Sequence, residues 1–199
     1  MTDRREFLQA TAFIGLSAIA GATRSVNAAR TSAPLRTDLH ALLVDECHAE
    51  CQSVGAALET TGLALHAIRD GDITVVWLRD VAPLWRDRRA AIGGLTTRAT
   101  LFCLEQLAVT HGLRVLFHGE HFMYPGGHVE HCLMRGAGNG HLSVHDLKLA
   151  GALWPHRLAA ALATYRRSTR QRPGPSMAAL QPHLPPDTRL LTSWIIGPA

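Results

Sequence analysis

The stretch of sequence that decides the fold is AAIGGLTTRATLFCLEQLAVTHGLRVLFHGEHFM, residues 90–123. A short apolar run, Ala90–Leu95, predicts a strand, and the two threonines after it can cap a helix that extends to His111. A glycine then stops the helix, and Leu113–Met123 predicts a second strand. The segment therefore predicts a β-α-β unit, whose crossover should be right-handed because right-twisted strands favour that hand.

A three-residue loop, Pro125-Gly126-Gly127, joins this second strand to another run of strand character, His128–Arg135. A loop of this length, with its last glycine in the left-handed conformation, is typical of a β-hairpin. It pairs Tyr124 with His128, so the numbers of paired residues should sum to about 252.

This register divides the hairpin into two faces, because successive side chains of a strand point to opposite sides. The core face is mostly apolar and has Val115, Phe117, His121, Met123, Val129, His131 and Leu133. The other face has His118, Glu120, His128, Glu130 and Cys132. On the core face, His121 and His131 lie directly opposite each other, with Cβ atoms roughly 5 Å apart.

Histidines are concentrated in this part of the chain: seven of the twelve lie between His111 and His145. Imidazole, carboxylate and thiolate are the ligands of zinc and other divalent transition metals, which makes His118, Glu120, His121 and His131 candidate metal ligands. A further ligand could come from His145, Asp146 or Cys51. A catalytic version of this site would use metal-activated water with Glu120 or Glu130 as base.

The alternative is that the histidines make ordinary hydrogen bonds or lie on a hydrated surface. No HExxH motif and no paired CxxC motif is present, so the spacing matches no specific zinc signature.

A second candidate site lies where the first strand of the β-α-β unit meets its helix. Gly93, Gly94, Thr96, Thr97 and Arg98 offer backbone N–H groups, two hydroxyls and a guanidinium that could hold a phosphate, sulfate or carboxylate. Ligands of open α/β sheets usually lie at such turns. Capping and tight packing explain the same residues without a ligand, since every helix start has free N–H groups.

The rest of the chain predicts further elements. A stripe of apolar residues with a spacing of four predicts a helix from Thr37 or Asp38 to about Thr60. Residues 63–78 predict a hairpin around Arg69-Asp70-Gly71-Asp72, and 79–89 should be irregular.

Towards the end of the chain, Ser143 opens a helical region that is broken near Pro155 and ends near Arg170. Residues 171–187 form a Pro-rich arm, and Arg189–Ile196 predicts a last strand. Together, the predicted elements make a mixed α/β domain over residues 29–199, with about six strands, three helices, a β-α-β unit and two hairpins.

Four cysteines, Cys47, Cys51, Cys103 and Cys132, permit three disulfide pairings in an oxidising compartment. A bond between Cys47 and Cys51 would strain a regular helix. The pattern favours burial of Cys47, Cys51 and Cys103 as small apolar groups.

The N-terminus carries an arginine pair followed by an uncharged segment. Arg4-Arg5-Glu6-Phe7-Leu8-Gln9 precedes Ala10–Thr23, and Val26-Asn27-Ala28 supplies small residues for cleavage. Residues 1–28 thus resemble a twin-arginine signal peptide; the remainder of the chain resembles no family we recognise.

The resemblance implies that the chain is exported in a folded state by the twin-arginine translocase and works in the periplasm. Proteins of this route often carry a metal or redox cofactor, or pair with a co-exported subunit that does. An uncleaved signal would anchor the chain to the membrane. The net charge of +4, without a basic stripe interleaved with aromatic residues, predicts no nucleic-acid partner.

Three functions therefore stay open, and with them the question whether the protein is an enzyme. The first is a periplasmic protein that binds a divalent transition metal such as zinc, or an accessory subunit of a redox enzyme. The second is an α/β enzyme that binds a small ligand or anion at residues 93–98. The third is a structural or interaction protein without a metal, with residues 171–187 as a contact surface.

Overall fold

A computed structural model describes residues 37–135, 142–167 and 185–198. The predicted signal peptide (1–28), the glycine-rich loop 136–140 and most of the Pro-rich arm 171–187 lie outside the described residues. The described part is a mixed α/β fold, as predicted, built on one six-stranded sheet with the strand order β2-β1-β3-β6-β4-β5.

The sheet combines parallel and antiparallel strands. Its members are β1 Leu39–Asp45, β2 Ala64–Ile68, β3 Ala91–Thr97, β4 Leu113–Met123, β5 Val129–Arg135 and β6 Arg189–Pro198. β1 pairs in parallel with β2 and β3, whereas β6 is antiparallel to both β3 and β4. β4 therefore runs in the same direction as β1 and β3, and these three strands have their carboxyl ends at one edge of the sheet.

Helices cover both faces of the sheet. The α-helices of the described residues are α1 Ala49–Leu58, α2 Thr74–Val76, α3 Ala82–Arg88, α4 Arg98–Thr110, α5 Val144–Ala150 and α6 Trp154–Ala163. Apolar residues of α1, α5 and α6 form the core on one face, and those of α2, α3 and α4 form the core on the other. None of the described helices combines the length and the apolar character needed to cross a bilayer.

The β-α-β unit is present with nearly the predicted bounds. β3, α4 and β4 follow one another, Thr97 caps α4 by accepting a hydrogen bond from the Thr100 N–H, and the two strands are parallel. The last strand of the chain, β6, lies between them and is antiparallel to both. This insertion places a distant segment of the sequence at the centre of the sheet.

The predicted helix from Thr37 to Thr60 is wrong in its first half, which is strand β1. β1 lies between two parallel neighbours and under helices on both faces, so its side chains are buried on both sides from Ala41 to Asp45. A strand of this kind has a continuous apolar run without alternation, and such a run also satisfies the spacing of a helical stripe. The helix begins only at Ala49.

The predicted hairpin over residues 63–78 is also wrong. Its first strand is β2, but the second half is helical: α2 passes through a π-helical turn, Trp77–Val81, into α3. The segment predicted to be irregular is therefore helix as far as Arg88. Val76, Val81 and Trp85 are buried in the core, so tertiary packing overrides the strand propensity of these residues.

The hairpin of β4 and β5 has the predicted register. His121 pairs with His131, Met123 pairs with Val129, and Gly127 has a left-handed φ of 86°. One face assignment is wrong: a register shift between Val115 and Phe117 moves Val115 into the core beneath α4.

The four cysteines are free thiols. Cys51 is buried as predicted, and burial raises the pKa of its thiol to about 12. Cys47 and Cys103 are exposed, contrary to the prediction, as is Cys132. Cys47 lies in the turn between β1 and α1 instead of on a helical stripe, and the buried side of α4 is formed by other residues.

Candidate functional site

Two imidazoles meet inside the core between the sheet and helix α6. The Nδ1 atoms of His121 and His131 are 2.8 Å apart, a hydrogen-bonding distance. His121 is fully buried, and His131 is 8 % exposed. The facing positions that the turn predicts on β4 and β5 thus bring the two rings into direct contact.

The hydrogen-bonded chain continues into the centre of the sheet. The Nε2 atom of His121 lies 2.8 Å from the Ser193 hydroxyl on β6. Trp154, the first residue of α6, stacks on the His121 ring with a centroid distance of 4.5 Å and contacts the His131 ring at 5.2 Å. We call Ser193, His121 and His131 the imidazole chain; its outer end is His131.

Burial keeps both imidazoles neutral at physiological pH. Desolvation lowers the pKa of His121 to about 3, with a smaller contribution from the charge of His131. Burial and, to a smaller extent, the nearby positive charge of Lys148 lower the pKa of His131 to about 4. A neutral imidazole has one N–H donor and one acceptor nitrogen, so each ring of the chain can accept one hydrogen bond and donate another.

His131 lines a cleft with a volume of about 590 Å³. The cleft is bounded by the first turn of α1, the start of β5 and the turn between α5 and α6. Its apolar lining is Val129, Leu147, Trp154 and Pro155. Its polar lining includes Glu50, Ser53, His128, His131 and Lys148.

The cleft lies at the edge of the sheet where parallel strands end. α1 follows the carboxyl end of β1, and β5 starts beside the carboxyl end of β4. The connections after β1 and β3 leave in opposite directions, to β2 at one edge and to β4 on the other side of β6. Open α/β sheets bind ligands at such carboxyl ends, near the point where the strand order reverses.

Two oppositely charged groups approach the cleft. One carboxylate oxygen of Glu50 lies 3.0 Å from the guanidinium of Arg189, which balances its charge, and the other is buried without a hydrogen-bond partner among the described residues. Lys148 is exposed and has no ion-pair partner among the residues described by the structure. With the charge of Glu50 balanced by Arg189, Lys148 gives the lining of the cleft one net positive charge.

The predicted metal ligands are divided between the two faces of the sheet. His121 and His131 form the pair described above. His118 and Glu120 lie on the face covered by α4, where a carboxylate oxygen of Glu120 is 4.0 Å from the His118 ring and 3.7 Å from Arg98. Burial raises the pKa of Glu120, an effect that Arg98 partly offsets. Within 37–135, 142–167 and 185–198, no three His, Cys, Asp or Glu side chains are grouped closely enough to hold a metal ion.

The residues of the predicted anion site have structural partners. Gly93 and Gly94 lie inside strand β3, not in the turn, and are buried. A Cβ atom on Gly94 would lie 2.6 Å from the Leu43 carbonyl oxygen and 2.6 Å from the Trp194 ring. The glycines thus allow the tryptophan to pack on the sheet.

The two hydroxyls of that predicted site are also engaged. The Thr96 hydroxyl accepts a hydrogen bond from the Trp194 indole N–H at 2.9 Å, and the Thr97 hydroxyl caps α4. Arg98 is 56 % exposed beside Glu120. An anion site at these residues stays a prediction, and these contacts supply no support for it.

Sequence reasoning missed several residues of the cleft and its imidazole chain, among them Ser193, Trp154 and Lys148. Ser193 reaches His121 across a sequence separation of 72 residues, through a strand pairing that no turn specifies. Alternation along β6 gives the one sequence signal, because Ser193 falls between Leu191 and Ile195 on a core-facing side.

No protein-family model, curated protein or solved structure matches this chain.

Proposed function

We propose that this protein binds a small organic molecule in the cleft at the carboxyl edge of the sheet. The observation that carries the proposal is that His131, a histidine kept neutral by burial, opens onto this cleft of about 590 Å³. The volume falls within the range of about 300–1,000 Å³ that is typical of small-molecule sites. Such sites also combine apolar walls with a few convergent polar groups, as this cleft does.

Binding explains the site better than acid–base or nucleophilic chemistry. Serine and two histidines in a hydrogen-bonded row resemble the geometry of a catalytic triad, but Ser193 is fully buried and no substrate can reach its hydroxyl. A general base works best when its pKa lies near the working pH, and the pKa of His131 is about 4. The imidazole chain therefore suits the holding of a ligand through hydrogen bonds.

The cleft can be tested with a pair of tryptophan variants. Ala152 lines the cleft, so Ala152→Trp should fill its mouth, whereas Ala160 is an exposed alanine of α6 outside it. Ligand-observed NMR would measure the binding of three probes of similar shape and different charge: benzoate, benzamide and benzylamine. We expect at least one probe to bind, Ala152→Trp to abolish that binding, and Ala160→Trp to retain it. Binding that survives Ala152→Trp, or no binding by any probe, would refute a ligand site in this cleft.

A second candidate function is the binding of a divalent transition metal such as zinc. The observation that favours it is that burial keeps both imidazoles in the neutral form that metals require. His131 and His128 both line the cleft, so an ion bound there would have imidazole nitrogen within reach. Elemental analysis of untagged protein would test this function: about one equivalent of metal supports it, and metal far below one equivalent counts against it.

We also propose export, on the strength of the arginine pair and the small-residue cleavage sequence in residues 1–28. Substitution of Arg4 and Arg5 by lysine keeps the charge and removes the arginine pair, so periplasmic accumulation should be lost. Arg24→Lys is the matched control and should be exported normally. Equal export of the Arg4→Lys, Arg5→Lys double variant and the wild type would contradict the proposal.

A further inference from the structure

The buried hydroxyl of Ser193 sets the direction of the hydrogen bonds in the imidazole chain. A hydroxyl needs an acceptor for its hydrogen, and a buried donor without one costs about 1–3 kcal/mol. Among the described residues, the Nε2 atom of His121 is the only side-chain partner of Ser193. Ser193 therefore donates to His121, and His121 accepts at Nε2.

The donor at Ser193 then fixes the direction of each following hydrogen bond of the imidazole chain, as far as the cleft. A neutral imidazole carries one proton, so His121, which accepts at Nε2, carries its proton on Nδ1. This Nδ1–H donates to the Nδ1 atom of His131 across the distance of 2.8 Å. His131 must accordingly carry its own proton on Nε2, the ring nitrogen that the pair with His121 does not use, and the His131 side chain lines the cleft.

A second donor stands beside this one. Lys148 lines the same cleft and is close enough for its charge to affect His131. Glu50, the acidic residue of the lining, is paired with Arg189 through one carboxylate oxygen, and among the described residues its other oxygen is buried without a hydrogen-bond partner. The cleft thus presents an N–H and an ammonium group to its contents, with apolar walls around them.

From this arrangement we infer that the cleft recognises the carboxylate of a small organic acid, with His131 Nε2–H and Lys148 as its donors. Ser193 and His121 are positioning residues, because they fix the proton on His131 without contacting the ligand. Two donors match the two oxygens of a carboxylate, whereas a phosphate has further oxygens that need further donors. The inference rests on the proposed ligand-binding function and specifies the chemical group that is bound.

The first test measures the tautomer of His131 and needs no variant. Long-range ¹⁵N–¹H NMR distinguishes a protonated ring nitrogen from a bare one. We expect His131 of the wild-type protein to carry its proton on Nε2, and the Nε2–H signal to shift when benzoate is added. A proton on Nδ1, with a bare Nε2, would overturn the inference.

The second test compares benzoate with benzamide, which has the same ring and no charge. Benzamide has no charge and therefore lacks the charge-assisted contact with Lys148, so we expect benzoate to bind about tenfold more tightly. Lys148→Met should remove most of this preference, and Lys148→Arg should retain it. Equal affinity for the two probes would overturn the inference and leave the ligand site standing; inorganic phosphate that binds more tightly than benzoate would overturn the choice of a carboxylate.

Ser193→Ala tests the positioning role. Without the hydroxyl, the proton of His121 is no longer held on Nδ1 and can move to Nε2. His131 should then populate the Nδ1–H form, and benzoate affinity should fall about three- to tenfold. Ser193→Thr keeps the hydroxyl and should restore both the tautomer and the affinity. Thr164→Ala is the control outside the cleft, since the exposed Thr164 hydroxyl donates to the Ala160 carbonyl and is not part of the chain. An unchanged His131 tautomer in Ser193→Ala would refute the positioning role.

Discussion

Acidification should destabilise the folded protein through its two buried histidines. Both have a pKa near 6.5 in the unfolded chain, and about 3 and 4 in the folded protein. Between these values the unfolded chain binds more protons than the folded one, so stability falls as the pH falls. The contribution is fully present above about pH 6.5 and is progressively lost below it.

The magnitude follows from the size of the shifts. At about pH 5 both histidines are protonated in the unfolded chain and neutral in the fold, and each proton contributes about 1.4 kcal/mol per pH unit. Over the 1.5 units below about pH 6.5, the pair therefore accounts for a loss of about 4 kcal/mol. This is a large part of the 5–15 kcal/mol that is typical for a domain.

Urea denaturation between about pH 5 and pH 7 measures this loss, because the slope of stability against pH counts the protons taken up on unfolding. His121→Gln removes one buried titrating group, so its slope near pH 5 should be smaller than that of the wild type by about one proton. His156→Gln removes an exposed imidazole of α6 and is the matched control. If both His121→Gln and His156→Gln keep the wild-type slope of unfolding free energy against pH, the buried pair is not the source of the pH dependence.

Two further predictions concern the scaffold of the site. Gly94→Ala should destabilise by about 1–3 kcal/mol, because its Cβ would lie 2.6 Å from the Trp194 ring between central strands that cannot move apart. Gly55→Ala makes the same change in helix α1, 3.3 Å from the flexible end of a leucine, and should be neutral or stabilise by up to about 1 kcal/mol. Thr97→Ala removes the cap of α4 and should cost about 1 kcal/mol, whereas Thr110→Ala at the other end of α4 should cost less. Urea midpoints measure all four variants, and equal effects within either pair would contradict the packing or capping argument.

Local sequence signals were sufficient to predict those parts of the fold in which a short connection fixes how two elements pair. The Pro125-Gly126-Gly127 loop determines which residues of β4 and β5 face each other, so the contact of His121 with His131 follows from counting along the chain. Thr97 and the strands around α4 were predictable for the same reason, since capping and chain reversal are decided within a few residues.

Long-range strand pairing determined the features of the fold and the site that the sequence pattern could not predict. β1 lies inside the sheet between β2 and β3, and burial on both of its faces erased the alternation that would have identified a strand. The insertion of β6 between β3 and β4 brings Ser193 to His121, and no local pattern specifies that neighbour. The two imidazoles were therefore predictable as a pair, but the chain that orients them and the cleft they open onto were not.

The direction of the imidazole chain also separates the two candidate functions. A histidine that binds a metal through Nε2 must leave that nitrogen bare and donates its Nδ1–H to a neighbour, here His121. The proton of His121 would then move from Nδ1 to Nε2. The Nε2–H would point at Ser193, and the buried hydroxyl hydrogen would have no acceptor. A metal bridging both Nδ1 atoms is no easier, because two nitrogen ligands of a tetrahedral zinc are about 3.3 Å apart and these atoms are 2.8 Å apart. Carboxylate recognition keeps every donor of the chain satisfied, whereas each metal arrangement breaks one hydrogen bond, and the position of a single proton on His131 decides between them.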